Sequence, residues 1–257
     1  MTVMCMRRTA LAVAVLALGA SAFGQHNLQR TITVDPQLGA ADHQTITAAL
    51  ADFRIPANPS NRFTILIYAG TYPENVLLGS TKENIDLVGI DRDAVIIAPA
   101  TGDGIVITSG TETSRNNSIR NLTIKTVSGH GIKIVKGGTP VPKDIIIEGV
   151  TIEANGDGKN GVYASEMQDL RIANCEITTT NGHGIEFVRT AESCDAPADI
   201  LLHDVTIRAA GRGKLAIRAD GAKGVPLKQR LRISDLTLYT IEELSVSDPA
   251  APRKHKP

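Results

Sequence analysis

The sequence predicts one all-β domain: a right-handed, single-stranded parallel β-helix of about seven turns with an N-terminal capping helix. Three observations carry this. First, the frame Ile119-x-x-Leu122-x-Ile124 returns as Ile147/Val150/Ile152, Ile172/Cys175/Ile177, Leu202/Val205/Ile207 and Ile233/Leu236/Leu238, at steps of 28, 25, 30 and 31 residues. Second, a marker keeps time with it: Gly104-Ile105, Gly131-Ile132, Gly161-Val162, Gly184-Ile185 and finally Ala216-Ile217. Third, the residue before each Leu/Val/Cys position is Asn121, Gly149, Asn174, Asp204 or Asp235. These types tolerate a left-handed backbone, so each marks a tight bend between strands. Every unit holds three short β-branched segments alternating with period two and shows no helical period. Three strands per turn, joined by one tight bend and two elastic loops, describe a parallel coil. A propeller needs hairpin turns, and those signals are missing.

The elements follow in order. Residues 1–24 read as a signal peptide, with the basic "MRR", the apolar run "TALAVAVLALGA" and the small-residue stretch "SAF". The run is too short for a membrane span, and cleavage after Ala22 or after Gly24 fits equally well. The expected location is therefore extracellular or periplasmic. The β-helix domain is expected over 25–244. Its opening segment "HQTITAALADF" places Ile46, Ala49, Leu50 and Phe53 on one helical face, with Asp42 as N-cap. A cap helix over about 43–53 would cover the open end of the coil, whose strand edges otherwise invite aggregation. "FTILIYAG", "ENVLL", "NIDLVG" and "AVIIA" supply the first strands, and the glycine clusters read as bends of the coil. The tail at 245–257, "SVSDPAAPRKHKP", has no periodicity and ends in basic residues, so it reads as disordered.

Lys and Arg (27) balance Asp and Glu (27), which gives no reason to expect nucleic acid or an anionic membrane as partner. Aromatics are 3% and Trp is absent, so the core rests on Ile, Val, Leu and Ala. Cys5 falls within the leader. Cys175 sits at an inward strand position and Cys194 in a connecting loop; export permits a disulfide between them, and their redox state stays open. No nucleophile elbow, Walker loop, CxxC pair or HExxH occurs, and no motif requires a cofactor.

"HQTITAAL", "TILIYAGTYPENVLL" and "NIDLVGIDRDAVIIA" together resemble the opening of pectinesterases and, more broadly, of the pectin-lyase-like superfamily, over residues 31–98. In that family a "TI..AL" cap helix precedes an "I..G.Y.ENV" strand pair and an "I.L.G.G...T.I" turn. The resemblance implies a secreted β-helix whose partner is an extended acidic polysaccharide such as pectin, bound and then cleaved or de-esterified. Pectinesterases also carry "QAVAL", "QDTLY" and "DFIFG" segments, whose paired aspartates act as acid/base and nucleophile. This sequence has no counterpart to "QAVAL" or "DFIFG". In "MQDLRI", Asp169 opens a strand like its neighbours on adjacent turns. The family's catalytic residues are therefore not carried over, and whether the protein is an enzyme stays open. The alternative is a non-catalytic structural or adhesive β-helix of the cell envelope.

Successive turns of a parallel coil lie about 4.8 Å apart, which converts alignment into geometry. After each glycine, Ile105, Ile132, Val162, Ile185 and Ile217 point inward, so Val106, Lys133, Tyr163, Glu186 and Arg218 form one outward ladder. In the resembling families this sheet carries the substrate cleft. Lys133 and Arg218 are candidate partners for uronate carboxylates, and Tyr163 is a candidate stacking platform. Glu186 is the candidate acid or base, with Lys133 and Arg218 as further catalytic candidates. His130 in "SGHGIKI" and His183 in "NGHGIEF" complete the candidate substrate-binding set. They stand two turns apart, about 10 Å along the coil, too far to share a metal ion held at about 2 Å from each nitrogen. A solvated sheet face with Lys–Glu compensation would look the same. A second ladder is Asn116, Asp144, Asp169, Asp199 and Arg230. Asp144, Asp169 and Asp199 are candidate Ca²⁺ ligands, yet Asp and Asn are also the usual residues where a loop enters a strand.

Overall fold

The computed structural model describes residues 30–241 apart from 38, 40, 57–58, 111–113, 139, 189–197 and 221–230. The expected signal peptide, Cys5, Cys194, Arg230 and the expected tail lie outside the described residues. Strand β1 (Thr31–Val34) opens the coil and helix α1 (Ile46–Leu50) follows. Four circuits then repeat a triplet of strands. They are β2 (Phe63–Ile67), β3 (Gly70–Tyr72), β4 (Val76–Leu78); β5 (Ile85–Gly89), β6 (Val95–Ile97), β7 (Ile105–Thr108); β8 (Ser118–Arg120), β9 (Thr123–Thr126), β10 (Ile132–Val135); and β11 (Lys143–Glu148), β12 (Thr151–Ala154), β13 (Val162–Ser165). Further along, the first two strands of a circuit merge into one bent strand. These are β14 (Gln168–Thr179) with β15 (Ile185–Val188), β16 (Ala198–Ala210) with β17 (Ile217–Asp220), and finally β18 (Leu231–Ile241).

A 12-stranded sheet collects the first and second strands of each circuit, and a six-stranded sheet in the order β17-β15-β13-β10-β7-β4 collects the third. Neighbours within both sheets pair in parallel. Six third strands are joined by five circuits, so the coil makes about five turns rather than the expected seven. Among the described residues, strands β1 and β18 belong to incomplete circuits at the two ends, which a count of strand-like segments adds in. The expected bends are present: Asn121, Gly149, Asn174, Asp204 and Asp235 have φ of 54°, 63°, 52°, 49° and 53°.

The core is a stack of aliphatic rows, among them Ile119–Ile147–Ile172–Leu202 and Ile124–Ile152–Ile177–Ile207, all fully buried. Burying each such side chain contributes about 1.5–3 kcal/mol. This stack also explains the glycine marker. A Cβ on Gly161 would fall 2.2 Å from Ile177 Cγ2, and one on Gly184 would fall 2.1 Å from Ile207 Cγ2. Neither glycine has a left-handed φ. The marker therefore reports close packing against the second strand's isoleucine, not the bend expected of it. Cys175 points inward as a buried free thiol, pushed up to about 11 by that burial.

The N-terminal cap is shorter than expected. Helix α1 buries Ile46, Ala49 and Leu50, and its N-cap is Thr45, whose side chain accepts from the Ala48 N–H. The Glu74 carboxylate, between β3 and β4, accepts from the Ile46 and Thr47 N–H groups at 2.8 Å each. Asp42 does not cap the helix; it binds Thr33 and Arg54 instead. Phe53 lies beyond the helix end and is 94% exposed rather than packed on the helical face. The chain turns at Asp52, which His43 and Arg54 hold in place, and Ile55 takes the buried position. No helix among the described residues is long and apolar enough to cross a membrane.

Candidate functional site

The six-stranded sheet aligns the outward ladder as expected. Val106 pairs with Lys133, Lys133 with Tyr163, Tyr163 with Glu186, and Glu186 with Arg218. Leu77 extends the row beyond Val106 and is 56% exposed, so one end is apolar and the other charged. The charged end is internally paired: Lys133 Nζ lies 3.4 Å from Asp103, and Arg218 Nη1 lies 3.3 Å from Glu186. The Tyr163 ring stacks on His130 with centroids 4.9 Å apart, so one of its faces is already covered.

A second row runs beside it. Asp103, His130, Asn160 and His183 each accept a hydrogen bond from the backbone N–H of the equivalent residue one turn on. Asp103 Oδ1 accepts from His130 at 2.8 Å, and His130 Nδ1 accepts from Asn160 at 2.9 Å. Asn160 Oδ1 accepts from His183 and His183 Nδ1 accepts from Leu215, both at 2.9 Å. The His130, Asn160 and His183 N–H groups precede the glycines and need an acceptor once buried, and the Leu215 N–H stands at the same position before Ala216. Because Nδ1 accepts, each neutral imidazole carries its proton on Nε2. Burial pushes His130 down to about 4, with Lys159 and Lys133 nearby acting in the same direction. Burial also lowers His183, helped by Arg218 and Lys214. Asn160 Nδ2 donates to Glu186 Oε2, so Glu186 is held between Asn160 and Arg218 with 13% of its side chain exposed.

All six candidate contact residues therefore meet on one face, but two of them have a role the sequence reading missed. His130 and His183 are members of an acceptor row, and His183 is only 5% exposed. The signal was the register itself: Asp, His, Asn and His share one position, and all of them can accept.

The Asp ladder has another origin. Asn116, Asp144, Asp169 and Asp199 have φ of 53°, 55°, 54° and 52°, so each occupies a left-handed position. Burial raises the Asp169 carboxyl, and the charges of Asp144 and Asp199 raise it further. A depression follows this ladder, lined by Asn116, Asp144, Asp169 and Asp199 with Arg62 and Arg171. Among the described residues, no three His, Cys, Asp or Glu side chains converge on a point where one metal ion could sit.

The family model described as the right handed beta helix region matches residues 88–222. A putative pectinesterase/pectinesterase inhibitor 26 of Arabidopsis thaliana is 37% identical over 81 residues, 31% of this chain and 8% of that protein. A pectinesterase/pectinesterase inhibitor of Ficus pumila var. awkeotsang is 38% identical over 73 residues, 28% of this chain and 12% of that protein. The match thus spans about a tenth of the length of these curated relatives. Among solved structures, a pectin methylesterase in complex with hexasaccharide VII superposes with a TM-score of 0.58 at 16% identity, over 83% of this chain and 66% of that chain. A protein of Geobacillus virus E2, ORF18, superposes with a TM-score of 0.55 at 14% identity, over 85% of this chain and 48% of that chain. At these identities the likeness is one of fold.

Proposed function

This chain belongs to the right handed beta helix family, and from that premise we propose that it binds an extended acidic polysaccharide of the pectin kind along the Lys133–Tyr163–Glu186–Arg218 face. The register carries the reading. Cation, aromatic ring, carboxylate and cation stand on consecutive rungs about 4.8 Å apart, a line an extended polymer can follow. Lys133 and Arg218 offer charge-assisted hydrogen bonds to carboxylates. Glu186, which Asn160 and Arg218 hold in place, is the group we assign to proton transfer on this face. Pectinesterases among the relatives support pectin as the first ligand to try. We further propose that residues 1–24 direct export, which N-terminal sequencing of the mature protein tests.

A screen of pectins, alginates and neutral glycans, read by binding and by product analysis, tests the main proposal. Support would be binding of an acidic glycan that Lys133→Ala and Arg218→Ala each weaken about tenfold. Silence toward every glycan would end it. Shortened chains or released alcohol would separate cleavage or de-esterification from binding alone.

One observation favours a second reading, a structural or adhesive β-helix of the cell envelope. Lys133 with Asp103, and Glu186 with Arg218, leave the face compensated without a ligand. Binding to cell-envelope fractions by a protein silent in the glycan screen would support it.

A further inference from the structure

Arg218 Nη1 lies 3.2 Å from His183 Nε2. The other ring nitrogen, Nδ1, already accepts the Leu215 N–H at 2.9 Å. A neutral His183 therefore carries its hydrogen on Nε2, and a donor faces a donor. Protonating the ring does not relieve this, because Nδ1–H would then oppose the Leu215 N–H and two cations would touch. Moving the proton to Nδ1 would strand the Leu215 N–H. His183 is 5% exposed, and among the described residues no acceptor meets its Nε2 hydrogen. A buried donor in this position calls for an oxygen from outside. Arg218, with 41% of its side chain exposed, brings the pair to solvent.

We infer that His183 and Arg218 form a site for one anionic oxygen, and that the group it takes is a ligand carboxylate. An oxygen about 2.9 Å from each donor accepts from both at once, while Arg218 Nη1 keeps its second hydrogen for Glu186. A hydroxyl could accept as well, but it would add no charge to meet the guanidinium, whereas a carboxylate forms the stronger charge-assisted pair. The site lies beside Glu186, so a carboxylate bound there fixes the ligand against the group assigned to proton transfer. The inference rests on the polysaccharide reading for the identity of the polymer, and on the geometry alone for the site.

The fold itself suggests the control. Asn160, one rung below, shows that an Asn side chain can serve this ladder as acceptor. His183→Asn should keep an acceptor for the Leu215 N–H while removing the Nε2 donor. The experiment is proton–nitrogen correlation spectroscopy of the histidine rings in the full-length protein, titrated with galacturonate and with its neutral methyl ester. The expected result is an Nε2–H tautomer at His183 whose Nε2 signal moves saturably with galacturonate and not with the ester. Polygalacturonate should bind His183→Asn about tenfold more weakly than the wild type, a loss of about 1.4 kcal/mol. An Nδ1–H tautomer in the wild-type protein would overturn the inference whether or not the variant folds. So would polygalacturonate binding that leaves the His183 signals still, an outcome in which the polysaccharide reading survives. If neither galacturonate nor the polymer binds, both fall.

Discussion

Two polar ladders climb this coil at one residue per turn, and they exist for different reasons. Asn116, Asp144, Asp169 and Asp199 stand where the backbone is left-handed, a demand that glycine would also meet. Asp103, His130, Asn160 and His183 stand where the next turn's N–H needs an acceptor, a demand glycine cannot meet. The first ladder is conformational, and its carboxylates crowd one another as a side effect. The second is a chain of hydrogen bonds that also orients two imidazoles and Glu186. Recurrence of polar residues on successive turns therefore does not identify a site. What each side chain bonds to does.

The largest effect expected of any single change falls on Asn160. Asn160→Ala removes the acceptor for the buried His183 N–H and the donor that holds Glu186. Denaturant unfolding should show a loss of about 3 kcal/mol, the scale of one orphaned buried donor plus one charged hydrogen bond. Asn160→Asp should lose less, since it keeps an acceptor, although it sets a second carboxylate against Glu186. A loss under about 0.5 kcal/mol for Asn160→Ala would mean that the acceptor row is incidental.

The conformational ladder should break differently. Asp169→Ala places alanine, which seldom adopts a left-handed backbone, at φ 54° and should cost about 1 kcal/mol. Asp169→Gly should stay within about 0.5 kcal/mol of the wild type, since glycine reaches this φ without strain. Equal costs for the two variants would show that the ladder is not held by its backbone. Millimolar Ca²⁺ should leave the wild-type melting midpoint unchanged. A calcium-dependent rise that Asp169→Gly abolishes would make the ladder a metal site after all.

Much of this was legible in the sequence, and the gaps have physical causes. Period-two alternation and the Gly–Ile marker place Lys133, Tyr163, Glu186 and Arg218 on one outward row, and the strand register agrees residue by residue. Asn121, Asn174 and Asp235 announce the tight bends because few other residues accept that backbone. The turn count ran high because strand-like segments at the ends pair on one side only. Phe53 continued the helical pattern of α1, but the chain turns at Asp52, and no periodicity reports a turn held by Arg54 and His43. The acceptor row stayed hidden because three residue types share one task, and pattern reading groups residues by type rather than by the lone pair they present.

Acid offers the finest separation of the two ladders, because they respond with opposite sign. Burial holds His130 at about 4 and lowers His183, against about 6.5 for an exposed imidazole. Between about pH 6.5 and 4 the unfolded chain binds more protons at the His130 site than the folded chain, so stability falls as pH drops through that window, and His183 acts in the same direction. Asp169 is raised above 3.8 by burial and by Asp144 and Asp199. There the folded chain takes up the proton first, so stability lost on ionisation returns as pH falls through the raised value. His130→Asn, which should keep the acceptor, is expected to flatten the decline in melting midpoint between pH 6.5 and 4. Asp169→Asn should raise the midpoint at neutral pH and lose that advantage in acid. Among the described residues the ladders share no hydrogen-bond partner, so the two effects should add in the double variant. A slope that His130→Asn leaves unchanged would remove His130 as its source, and with it the claim that the acceptor row keeps that imidazole neutral.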